Sequence, residues 1–195
     1  MNDLAFNQRL PELVVVDDFF RDPDAIRDLA LQCEYHSDLR FFKGQRSTIP
    51  FLWPYLREEF GRLLGRRVTR WMEHDANGVF QMTAPDDPLV WHHDLQSYAG
   101  AVYLTPDAPP SWGTSFWRDM SFGARKAPFT DEQKAVVYDD YNLVNPDVWE
   151  RLDTVAGLYN RLVLWDASLI HSATSYQPNG PDGRVRLVQL FFFDV

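Results

Sequence analysis

From about Val68 onward this chain loses the helical texture of its first third. It is cut instead into short runs rich in β-branched and aromatic residues: Val79–Thr83, Leu89–His92, Tyr98–Thr105, Thr114–Arg118, Arg161–Trp165 and Arg184–Phe193. The cuts have turn chemistry, at Pro85-Asp86-Asp87-Pro88, Pro109-Pro110 and Pro178-Asn179-Gly180-Pro181. Many short strands separated by such turns predict a mainly β fold with flanking helices, two sheets closed as a barrel or jelly roll. Met120–Thr154 breaks the rhythm with mixed charge. That segment is expected to be an insertion at about 120–154, serving as a lid or a substrate-side element.

The first third reads differently. Leu13–Phe20 is a strand candidate, Asp22 an N-cap, and Pro23 sits where a first helical residue needs no N–H. Ile26, Leu29, Ala30 and Cys33 then recur at helical spacing. A second helix is expected over Arg57–Leu64, with Leu56, Phe60, Leu63 and Leu64 on one side and an aromatic loop around Phe41, Phe42 and Trp53 between the two. The expected organisation is one domain over 1–195, in which 1–67 supply a strand and supporting helices and 68–195 the β core.

Composition narrows the partners. A formal charge of -9 disfavours a polyanion, since nucleic-acid binding draws on a basic face, so no nucleic-acid partner is expected. The single cysteine, Cys33, cannot form an internal disulfide and reads as a buried thiol. Met1-Asn2-Asp3-Leu4 lacks the basic and apolar start of a signal peptide, and no apolar run reaches the ~20 residues that span a bilayer. A cytoplasmic protein without a membrane partner is expected, as monomer or homodimer.

The chemistry concentrates at Trp91-His92-His93-Asp94. On an extended backbone, residues two apart share a face, so His92 and Asp94 can offer an imidazole nitrogen and a carboxylate oxygen to one metal ion. His171, beyond Leu164-Trp165-Asp166, is the candidate for a second imidazole from a distant strand, completing a facial triad with open positions. A bulge or slipped register would present His93 instead of His92. His36 and His74 have no partner at a useful spacing.

From Gly78 onward these features resemble, in order, the iron(II)/2-oxoglutarate-dependent oxygenases, in the compact bacterial branch similar to prolyl hydroxylases. His92-His93-Asp94 matches the His-x-Asp motif and Tyr98–Pro106 the strand ending Tyr-Leu-x-Pro. Trp112–Phe116 matches the glycine lead-in, Asn160–Trp165 with His171-Ser172 the distal-histidine strand, and Gly183–Phe193 the last, arginine-bearing strand. The opening Val14–Phe19 with Asp22-Pro23 fits as well. The resemblance implies a double-stranded β-helix with His92, Asp94 and His171 as catalytic iron(II) ligands, and 2-oxoglutarate and O₂ as cosubstrates. It also implies an arginine that grips the distal carboxylate of 2-oxoglutarate with its guanidinium fork. Arg186 matches the terminal strand better than Arg184, which shares its face nearer the loop. Tyr103 and Gln81 are further cosubstrate candidates, and Thr114, Trp117 and Arg118 sit where the family contacts substrate. Asp166 could orient a ligand or simply end a strand. Val188 stands where many relatives carry a serine or threonine.

The activity so implied is hydroxylation of a small molecule, amino acid or peptide side chain with release of succinate and CO₂. Two rivals use the same residues: a divalent-metal hydrolase and a non-catalytic jelly-roll binding module.

Overall fold

The computed structural model describes residues 9–37, 44–85, 87–127, 129–139, 142, 145–175 and 185–195. Phe41, Phe42, Arg184 and the Pro178–Pro181 turn lie outside them. In chain order the elements are β1 (Leu13–Val16), α1 (Pro23–Leu31), β2 (Tyr35–His36), β3 (Gln45–Ser47), α2 (Pro54–Leu64), β4 (Phe80–Thr83) and β5 (Tyr98–Tyr103). There follow β6 (Thr114–Asp119), α3 (Asp131–Val137), β7 (Trp149–Val155), β8 (Leu162–Asp166), β9 (His171–Ala173) and β10 (Arg186–Phe193). The strands form a seven-stranded sheet, β1-β8-β5-β10-β4-β3-β2, and a three-stranded sheet, β7-β6-β9. Every pairing is antiparallel, giving the mainly β, double-sheet jelly roll with few helices.

Strand alternation sorts the large sheet into two faces. Phe80, Leu162, Leu164, Leu187, Phe191 and Phe193 point outward onto the helices, where Phe60 of α2 meets Phe191 edge-on at 4.9 Å. Ala99, Ala101, Tyr103, Val163, Trp165 and Val188 point inward, toward Phe116 and Val155 of the small sheet. A third apolar layer, Trp91, Trp117, Phe129, Val137, Trp149 and Ile170, covers the outer face of the small sheet. The helices follow from local chemistry. Asp22 accepts from the Ala25 N–H ahead of Pro23, while α2 starts three residues earlier than its apolar period, at Pro54, and stops at Gly65 in the left-handed region. Cys33 is half-buried and its thiol bonds the Leu29 carbonyl.

Three expectations change. Leu89–His92 is not a strand, and only one bridge, His92 to His171, ties this segment to the small sheet. Trp149–Thr154, read as the end of an insertion, belongs to β7; its exposed Glu150, Arg151 and Asp153 hide the apolar signal of a solvated edge strand. Part of the segment before it packs away from the interior. Phe129, Val137 and Tyr138 pack on the outer face of the small sheet, behind the triad.

Candidate metal and cosubstrate site

His92 and His171 meet because their backbones form a narrow antiparallel pair. His92 N–H donates to the His171 carbonyl at 3.1 Å and His171 N–H returns to His92 at 2.8 Å. Directly opposed residues project to one face, and the two rings stand 4.3 Å apart. Asp94 N–H bonds the Ala167 carbonyl at 2.9 Å, so the same turn that leads into β9 also places the carboxylate. His93 points the other way, its Nδ1 2.6 Å from the Tyr138 hydroxyl and its ring against Phe129. The alternative register is thereby excluded: His92 and not His93 joins Asp94 and His171, and their ligand atoms all lie within 4.8 Å of one another.

The donor set fits a cation. His92 Nδ1 lies 3.1 Å from the Val90 carbonyl and His171 Nδ1 2.9 Å from the Leu169 carbonyl. A carbonyl only accepts, so each Nδ1 donates to its carbonyl and each Nε2 is turned toward Asp94. Those Nε2 atoms are 3.9 and 3.3 Å from the carboxylate, and Asp94 Oδ2 is buried without a hydrogen bond. Two imidazole nitrogens and a carboxylate oxygen so close together are ligands that one cation can bridge, and carbonyl-pinned imidazoles are the usual outer support of metal ligands. Burial, followed by the neighbouring His171, pushes His92 down to about 4. It is therefore neutral at physiological pH, and 46% of its side chain stays accessible. Burial alone would raise Asp94, but His171 and then His92 outweigh it and hold the carboxyl below its ordinary range.

One strand step deeper lies a second cluster. Thr114 shares a face of β6 with Phe116, which pairs with His171, so Thr114 is roughly 7 Å below the triad. Its hydroxyl meets the Tyr103 hydroxyl at 2.8 Å. Arg186, 6% exposed, donates from Nε to the Trp112 carbonyl at 2.7 Å and sets its guanidinium 5.3 Å from the Tyr103 ring. Gly113 makes this possible, because a Cβ there would lie 1.8 Å from the Val155 carbonyl oxygen. Burial pushes the Tyr103 phenol up, so it remains a protonated donor. Between the two levels β5 carries only Ala99 and Ala101 inward, which leaves room beside the triad.

The remaining expected residues divide. Gln81 faces the interior, opposite Val188, and its Oε1 accepts from Arg46 Nε at 2.7 Å. Arg46 pairs with Gln81 in register and so faces inward too. Sequence reasoning missed it because β3 is three polar residues with no apolar alternation. Trp117 is corrected: it faces the outer layer, its Nε1 bonding Ser172 Oγ at 3.0 Å and its ring meeting Trp91, so it does not line the interior. Arg118 pairs with Glu150 at 3.3 Å on the half-exposed rim. Asp166 holds Ser168 and Lys126 and orients neither histidine, a role taken by the Val90 and Leu169 carbonyls.

Solved structures with this fold carry the comparison further. HygX from Streptomyces hygroscopicus, crystallised with nickel, 2-oxoglutarate and hygromycin B, superposes with a TM-score of 0.58 at 16% identity over 94% of this chain and 82% of that one. AviO1 from Streptomyces viridochromogenes Tue57 gives 0.55 at 14%, over 94% and 90%. SnoN, a non-heme alpha-ketoglutarate-dependent epimerase from nogalamycin biosynthesis, gives 0.54 at 13%, over 94% and 78%. No curated protein matches the sequence. Fold and triad together define the class: the iron/2-oxoglutarate oxygenase fold, carrying its His-x-Asp and distal His. Within that class the chain belongs to a family of unknown function, DUF6445, whose model matches residues 3–186. Among the described residues, no helix is long and apolar enough to cross a membrane.

Proposed function

We propose that this protein is an iron(II)- and 2-oxoglutarate-dependent oxygenase that hydroxylates an unactivated C–H bond of a small molecule or peptide side chain. The observation that carries this reading is the convergence of two Nδ1-pinned imidazoles on the unbonded, buried Asp94 Oδ2, one strand step above a buried arginine. His92, Asp94 and His171 would hold the metal through Nε2, a carboxylate oxygen and Nε2. When bound, iron with 2-oxoglutarate and O₂ supplies the oxidising power, and CO₂ and succinate are released.

The chain's own residues supply position and selectivity. Arg186, fixed by the Trp112 carbonyl and the Tyr103 ring, is suited to take the distal carboxylate of 2-oxoglutarate. Tyr103 and Thr114 add hydroxyl donors at the same depth. Val188 opposite Tyr103 offers no hydroxyl, so the carboxylate depends on the arginine and these two groups. Nδ1 of His92 and of His171 is each committed to a backbone carbonyl, which leaves Nε2 as the atom that would meet the metal. Asp94 fills the third protein position with a carboxylate, so no halide can occupy it and halogenation is disfavoured. The deciding experiment is anaerobic titration with iron(II) and 2-oxoglutarate. A visible charge-transfer band requiring both components, absent in Asp94→Ala, is expected; tight zinc binding with no such band would defeat the reading.

A further inference from the structure

Resting on that reading, we propose that the indole N–H of Trp165 donates a hydrogen bond to the metal-side carboxylate of 2-oxoglutarate. Trp165 lies on β8 at the level of the triad. Its ring stands 5.0 Å from the His171 ring and 6.1 Å from that of Phe116, the residue of β6 that pairs with His171. Its register partner on β5 is Ala99, and both belong to the inner cluster, so the indole faces the barrel interior. Trp165 is 4% exposed, and its Nε1 is buried without a hydrogen-bond partner.

Other buried indoles of this chain are satisfied. Trp117 Nε1 bonds Ser172 Oγ at 3.0 Å, and Trp149 Nε1 bonds the Asn142 carbonyl at 2.8 Å. Trp91 Nε1 is unbonded too, but it belongs to the outer layer, stacked on Trp149. Trp165 carries its unmet donor beside a ligand of the metal. Its neighbours Ala99, Val163 and Phe116 bear no acceptor, and His171 Nδ1 is committed to the Leu169 carbonyl. A buried N–H without a partner destabilises a fold, and an acceptor that arrives with a ligand removes that cost.

Two unmet groups flank His171, and they call for opposite partners. Asp94 Oδ2, 3.3 Å from His171 Nε2, is an acceptor that a cation satisfies. An indole N–H only donates and does not ligate a cation, so its partner is an oxygen that comes with the metal. A 2-oxo acid supplies one. It takes a metal through its ketone and one carboxylate oxygen, which leaves the second carboxylate oxygen to accept a charge-assisted hydrogen bond. Burial points to the same ligand. Only 6% of the His171 side chain is accessible against 46% of His92, so Trp165 stands on the closed side of the triad. Below Ala99 on that side come Ala101 and Tyr103, whose ring carries the Arg186 guanidinium at 5.3 Å. A cosubstrate reaching from the metal to Arg186 runs along this wall, and its metal-side carboxylate meets Trp165.

The test uses protein loaded with zinc, as a redox-silent stand-in for iron, and calorimetry to follow 2-oxoglutarate binding. The Trp165 indole N–H resonance is assigned by its loss in Trp165→Phe or Trp165→Tyr. Saturating 2-oxoglutarate should move it downfield beyond any change caused by zinc alone, and should slow its exchange with solvent. Trp165→Phe should bind zinc as the wild type does and raise the Kd of 2-oxoglutarate about tenfold. A resonance that stays in place while calorimetry shows 2-oxoglutarate bound overturns the proposal, because the donor then has some other partner, such as a resident water. An unchanged Kd in Trp165→Phe overturns it as well. Calorimetry showing no 2-oxoglutarate binding to the wild-type zinc protein would defeat the oxygenase reading itself, so the two failures are told apart.

Discussion

The two ends of the barrel interior are built on opposite principles. At the deep end Arg186, Tyr103 and Thr114 sit on regular strands, are almost wholly buried and bond one another or nearby carbonyls. At the upper end His92 and Asp94 hang from an irregular segment tied to β9 by one bridge; Asp94 Oδ2 has no hydrogen bond and His92 is open to solvent. The deep end is a rigid cradle whose charge is already solvated by protein. At the upper end both imidazoles have Nδ1 committed to a carbonyl and turn Nε2 toward a carboxylate. Such a cluster offers three ligand atoms to one cation, whereas the cradle holds together without a ligand.

That contrast predicts separable failures. Asp94→Ala strikes the upper end and should cut iron binding and succinate formation by more than the ~100-fold typical of losing a ligand's outer support, with folding retained in circular dichroism. Arg186→Gln strikes the cradle. Truncating one member of a buried charge pair costs about 2–5 kcal/mol, so the 2-oxoglutarate KM should rise on the order of 100-fold while metal binding alone persists in calorimetry. If Arg186→Gln also abolished metal binding, the two ends would not be independent.

The adjacent histidines give a finer cut. His92→Ala should lose stoichiometric metal, whereas His93→Phe should keep it and lose about 1 kcal/mol of stability in urea unfolding, from the broken bond to Tyr138. Tyr103→Phe should cost about 1 kcal/mol and raise the 2-oxoglutarate KM a few-fold, because Thr114 loses its buried partner.

The smallest effect lies at the rim, where Arg125, then Lys126, lower Glu12 from 4.5 to about 2. A lowered folded value means this stabilisation is complete above pH 4.5 and disappears as pH falls through about 2. With Glu12 44% exposed, screening limits it to about 1 kcal/mol or less. Glu12→Gln should remove that part of the acid-induced loss of stability and leave activity at pH 7 unchanged.

Much of this architecture was legible in the residues themselves. β5, β8 and β10 bury both faces, so they read as continuous apolar runs, and Pro23 and Asp22 announced α1. The triad was legible because His-x-Asp and a late histidine keep their order along the chain. β3 and β7 were not: β3 is polar because its partner on one side is only the two-residue β2, and β7 is charged because it closes the small sheet. Trp117 was carried over from the resemblance by its place in the chain, and that place does not show which face of the strand is inside.

What the sequence determined by itself was the class of fold, the ligand types and their order, since those follow from local periodicity and side-chain chemistry. Only the tertiary structure decided between His92 and His93, packed Phe129, Val137 and Tyr138 behind the triad, and brought Arg46 across 35 residues to Gln81. Each of those outcomes depends on the register between strands distant in sequence. Register is set by packing and paired hydrogen bonds, which no local pattern carries.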